Sequence, residues 1–163
     1  MIGEYTKAEG SEEKLTRKSV GVFAGVYTLA ILLFAAIQYL FDFDMKSADG
    51  VAALYVAGML TGQFFVKKVK RLPEKEEVTK IKILSVIIAL FLQLLLVSFV
   101  VSILSLAGDN TLASMIGSLP LVVVLIVLSV LTLFYYFLVG WSFKGGANAA
   151  FKNLSDNEKS ETA

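Results

Sequence analysis

The sequence predicts an all-α fold, an integral membrane antiparallel four-helix bundle with both termini on the cytoplasmic side (N-in, C-in). Three observations carry that expectation. First, the 163 residues are 56% apolar and only 18% charged, and the blocks 19–41, 50–66, 83–108 and 110–143 contain no charged residue, together 100 of the 163. A helix needs about 20 apolar residues to cross a hydrocarbon layer of about 30 Å. Second, 14 of the 15 Lys and Arg residues fall in the N-terminal segment, the central loop and the C-terminal segment, leaving Lys46 alone between the other spans. Cytoplasmic loops carry the Lys/Arg excess, so these three segments share the cytoplasmic side. Third, there is no Cys and no His. That excludes the common zinc centres, disulfides and every Ser-His or Cys-His pair. A net charge of +1 gives no general reason to expect nucleic-acid binding.

Residues 1–18 read as a polar cytoplasmic tail ending in Lys14, Arg17 and Lys18. The apolar run that follows exceeds the roughly 7–15 residues of a secretory signal and lacks an A-x-A-like site, so the first span, about 19–41, reads as an uncleaved anchor. The transmembrane domain is expected over 19–143. Its second span, about 48–66, places Asp49 in the outer interface, beside a loop holding Asp42 and Asp44. Those acids could collect a divalent cation, but nothing supplies its remaining ligands. The third span is about 82–107. Its helix is expected to start ahead of the membrane, with Pro73 in a first helical position, Glu74, Glu76 and Glu77 in the first turn, and Glu76 paired with Lys80 at i,i+4.

The fourth block, 112–143, is too long for one straight crossing. Pro120 must kink it or start its main helix, so 120–141 reads as the membrane core and 112–119 as an outer turn. Trp141 and Phe143 precede Lys144 as an interfacial anchor. Gly145-Gly146 are expected to break the helix and leave a cytoplasmic tail, 144–163. In that tail Ala147, Ala150, Phe151 and Leu154 have the spacing of a short surface helix over 147–154.

No Asp, Glu, Lys, Arg or His falls inside the charge-free blocks. Such groups mark proton relays and ion pathways when they occur in membranes. The sequence therefore argues against a proton-coupled transporter, a voltage sensor or an intramembrane acid–base enzyme. Gln38, Gln63 and Gln93 are the glutamines within the spans and the candidates for a polar path. Their depths differ, so they are not expected to share one layer, and the plainer reading is a local hydrogen bond across a helix interface for each. Small residues point to packing faces. Gly21-x3-Gly25 and Gly58-x3-Gly62 predict close approach of the first two helices at the cytoplasmic end. Ser98-x3-Ser102 and Ser114-x3-Ser118 predict it for the last two at the outer end, the alternative being that one of these faces makes a homo-oligomer. Lys67, Lys68, Lys70 and Arg71 determine topology and could grip anionic lipid headgroups.

Two other matches are decoys. Ser11-Glu12-Glu13-Lys14 and Ser155-Asp156-Asn157 fit two penicillin-recognising patterns, but K-T-G is missing and both lie in polar tails. The sequon Asn153-Leu154-Ser155 falls on the cytoplasmic side.

The segment 61–77 carries Gly62, Phe65, Val66, Lys67, Lys68, Arg71, Pro73 and Glu76. In that pattern it resembles the signature of a family of small four-span bacterial inner-membrane proteins without an established activity. The resemblance implies a bacterial inner membrane and supplies no activity, and no cofactor is expected. The expected function is non-enzymatic: association with another membrane protein as an accessory, envelope or immunity factor, amid membrane lipids. The alternative is a homo-oligomeric channel or small-solute permease, and a holin-like protein is a third reading.

Overall fold

The structure, a computed structural model, describes residues 2–41, 48–108 and 110–161. Asp42, Asp44, Lys46 and Asp109 lie outside the described residues. Five helices follow in order: α1 (Ile2–Phe41), α2 (Ala48–Val69), α3 (Lys75–Leu106), α4 (Thr111–Ser118) and α5 (Leu121–Glu161). Four of them, α1, α2, α3 and α5, are long and apolar enough to cross a membrane. The end of the bundle that holds the α2–α3 loop is called basal here, and the end that holds α4 is called far.

Pro120 acts as expected. Its ring cannot donate a helical hydrogen bond, so α4 stops at Ser118, and the Pro120 carbonyl accepts the first bonds of α5, from Val123 and Val124. The first 18 residues, expected as a polar cytoplasmic tail, are helical from Ile2 as part of α1. Two expectations about boundaries are corrected. Gly145-Gly146 do not break the last helix, and residues 147–154 are an internal stretch of α5, not a detached surface helix. Each glycine costs a helix about 1 kcal/mol, but here Gly146, Ala147 and Ala150 are buried, and that packing holds the turn. Pro73 is not in the first helical position: Glu74 is the N-cap of α3, and the Glu77 carboxylate accepts the Glu74 backbone N–H at 2.8 Å.

α2 packs between α1 and α5, and α3 packs against the same two helices, so α2 and α3 lie across a diagonal. Consecutive long helices are antiparallel as expected, but the most extensive contact joins α2 and α5, which run parallel. Two apolar clusters tie the helices together. One holds Phe23, Tyr27, Leu54, Val86, Tyr135 and Val139, and the basal one holds Phe65, Val66, Val78, Ile81, Phe143 and Ala150.

Candidate functional site

Three features concentrate the polar and close-packed residues: a seam between α2 and α5, a polar layer at the start of α2, and an ion pair at the basal loop. The seam is built from glycine. A Cβ at Gly58 would overlap the Ser142 hydroxyl, one at Gly62 would overlap the Phe143 carbonyl, and one at Gly146 would overlap the Met59 carbonyl. Phe65 and Phe143 close the basal side edge to face, 6.2 Å between centroids. The close-packing role of Gly58 and Gly62 is thus present, but their expected partners are wrong. Gly21 and Gly25 are exposed, with nothing near a Cβ placed on either. The reason is the inward face of α1, where Ser19, Phe23 and Tyr27 recur every fourth residue and are fully buried, turning the glycines outward. The facing stripe is Ser142-x3-Gly146-x3-Ala150 on α5. Its i, i+4, i+8 spacing of small residues is the sequence signal for this face, and the adjacent Gly145-Gly146 pair masks it by resembling a helix stop.

The serine pairs do not form the second expected contact. Ser98, Ser102, Ser114 and Ser118 are all exposed. Ser102 donates to the Ser98 carbonyl, Ser114 to Thr111 and Ser118 to Met115, each within its own helix. Such back-bonding satisfies a hydroxyl in apolar surroundings without a neighbouring helix.

The polar layer corrects the depth argument for two of the three glutamines. Gln38 Nε2 donates to Asp49 Oδ2 at 3.1 Å, and Asp49 Oδ1 accepts the Gly50 N–H at 2.9 Å. From the other side of the bundle, Gln93 Nε2 comes within van der Waals distance of a Cβ placed on Gly50, and Gln93 Oε1 accepts the Tyr135 hydroxyl at 2.7 Å. Gln38 and Gln93 therefore converge on the first turn of α2, each bonded across a helix interface as the plainer reading had it. Gln63, half-buried thirteen residues further along α2, is not part of this layer. Tyr27 is fully buried, stacked on Phe23 at 5.9 Å, and its hydroxyl has no hydrogen-bond partner among the described residues.

At the basal loop Lys70 takes a left-handed conformation, φ 56°, directly after α2. Arg71, expected among the headgroup ligands, packs against Glu77. Its two terminal nitrogens donate to the two oxygens of Glu77 at 2.8 Å each, and Glu77 is buried. Lys67, Lys68 and Lys70 are exposed. No cluster of three or more metal-ligating side chains occurs among the described residues, and Asp49 is already bonded to Gln38.

No family model, curated protein or solved structure matches the chain.

Proposed function

We propose that the protein is a four-span protein of a bacterial inner membrane, with both termini cytoplasmic, that acts by associating with another membrane protein and not by catalysis. The partition of Lys and Arg supports the orientation, with the basal end inside. The bacterial setting follows from the resemblance of the 61–77 segment.

The observation that carries association is a stagger between the two hairpins. Gly50, next to the Asp49 that Gln38 holds, lies beside Gln93, and α3 continues from there to Leu106. At 1.5 Å per residue, about 20 Å of α3 extends past the start of α2, and the outer part of α5 extends similarly beyond Tyr135. On this far hairpin Phe99 is 66% exposed, Leu106 89% and Leu121 74%. A single hydrocarbon layer of about 30 Å cannot match the apolar stretches of both hairpins at once. Set on α3 and α5, it leaves a half-height face that α1 and α2 do not cover, suited to another apolar helix. Apolar surface by itself gains nothing in lipid, so a partner must add close packing or hydrogen bonds there.

A channel lined by the glutamines has less support, because Gln38 and Gln93 are engaged within the bundle. Photocrosslinking in native membranes from Phe99 and Leu125 tests the proposal. A heteromeric adduct at both is expected. Adducts only between copies of the chain would favour the homo-oligomeric alternative, and adducts with lipid alone would overturn association.

A further inference from the structure

Between the start of α3 and the middle of α5 the basal end opens into a cleft of about 370 Å³. Lys75, Lys82 and Lys144 line it, with Thr79 and Asn148, and no carboxylate is among its lining residues. The two walls are helical stripes: 75, 78, 79 and 82 on α3 face 144, 147 and 148 on α5. Val78 and Ala147 are buried and form the floor.

Lys82 is not a freely extended surface lysine. Its ammonium sits over the Tyr136 ring, 3.8 Å from the centroid, and its side chain crosses α5 at Gly140. A Cβ on Gly140 would stand 2.6 Å from Lys82 Cδ, so a side chain there would push the lysine aside from this path. A ring face holds a cation without neutralising it, leaving the ammonium donors available to an anion. None of the three lysines forms an ion pair among the described residues. The three lysines bring positive charge to a cleft whose lining holds no carboxylate to balance it. The basic run at Lys67 and Lys68 offers charge without a cleft, and Arg71 is committed to Glu77.

We infer that this cleft binds a phosphate oxyanion, its ester carbons resting on the apolar floor. Basic pockets between membrane helices at the cytoplasmic face suit anionic lipid headgroups. That source rests on the membrane reading above, whereas a free phosphate compound would use the same lysines without it.

The test uses the full chain, purified in neutral detergent and stripped of lipid, with phosphatidylglycerol and inorganic phosphate as separate probes in native mass spectrometry. Wild type is compared with Lys82→Gln/Lys144→Gln and with the control Lys67→Gln/Lys68→Gln. At about 1 kcal/mol for each lysine, the cleft double variant should bind about thirtyfold more weakly, while the control is little changed. Preference for one phosphatidylglycerol identifies a lipid headgroup, and phosphate binding without lipid preference identifies a soluble source. No binding of either probe to wild type, or equal loss in both double variants, overturns the proposal. Gly140→Ala, which displaces Lys82 without removing a charge, should weaken binding severalfold, and unchanged affinity there contradicts the positioning of Lys82. If the chain remains in solution without detergent, the membrane reading has failed, and the phosphate arm is then read in plain buffer.

Discussion

Arg71 holds Glu77 through a two-pronged contact, both guanidinium nitrogens 2.8 Å from the two carboxylate oxygens, across the loop that joins α2 to α3. Oxygen Oε2 also accepts the Glu74 N–H, so a single buried carboxylate caps α3 and fixes its entry angle. The pair lies six residues apart and is not a helical i,i+4 contact, so it exists only because the loop folds back on the helix.

Arg71→Lys should therefore destabilise the fold even though the charge is kept. Lysine cannot supply the planar fork, and a buried carboxylate left short of donors costs about 1–3 kcal/mol. Thermal unfolding in detergent should show a clear drop for Arg71→Lys and Glu77→Gln, and little change for the exposed Glu76→Gln. Equal behaviour of all three would show the pair to be unimportant.

The seam makes the opposite kind of prediction, steric and one-sided. Gly58→Leu and Gly62→Leu should disrupt the bundle, because the added side chains meet the α5 backbone and Ser142. Gly21→Leu and Gly25→Leu add side chains to open space and should leave the melting temperature within a degree or two. Gly146→Ala should behave like the α2 variants. Loss of the fold at Gly25 with tolerance at Gly62 would contradict the observed pairing of helices.

Two tyrosines on the same core should respond differently to losing a hydroxyl. Tyr135→Phe removes the bond to Gln93 and should cost about 0.6–1.5 kcal/mol, with part recovered in Tyr135→Phe/Gln93→Leu because both polar partners are then gone. Tyr27→Phe removes a buried hydroxyl that has no partner among the described residues and should be neutral or stabilising. Denaturation of the four proteins side by side measures this. A larger loss for Tyr27→Phe than for Tyr135→Phe would refute it.

Lys70 closes α2 with φ 56°, a conformation that costs a side-chain-bearing residue about 1–2 kcal/mol and that glycine adopts freely. Part of that gain is lost to the greater freedom of glycine in the unfolded chain. Lys70→Gly should still raise stability by up to about 1 kcal/mol. A fall in the melting temperature would show that the Lys70 side chain contributes more than its backbone costs.

What the residues revealed in advance follows the reach of each signal. Pro120 was legible because its effect is covalent and local. Gly58 and Gly62 announced that a backbone comes close, but a small residue does not say which backbone, and α5 took the place expected for α1. Gly145-Gly146 carry the propensity of a helix stop, and the packing of Ala147 and Ala150 that overrides it is not a local signal. The convergence of Gln38, at Asp49, and Gln93, at Gly50, on the first turn of α2 depends on how far one hairpin slides past the other, and no single helix encodes that offset. Lys82, Tyr136 and Gly140 come from two helices and carry no pattern in either one.

The orientation of the bundle in a membrane is the claim on which the rest stands, and a chain without cysteine allows it to be measured cleanly. Single cysteines at Lys68, Asn110 and Lys152 would be labelled with a membrane-impermeant maleimide in intact spheroplasts and in inverted vesicles. Asn110→Cys should be labelled from outside only, and Lys68→Cys and Lys152→Cys in inverted vesicles only. Labelling of Lys68→Cys from outside, or recovery of the chain in the soluble fraction, would contradict this membrane orientation.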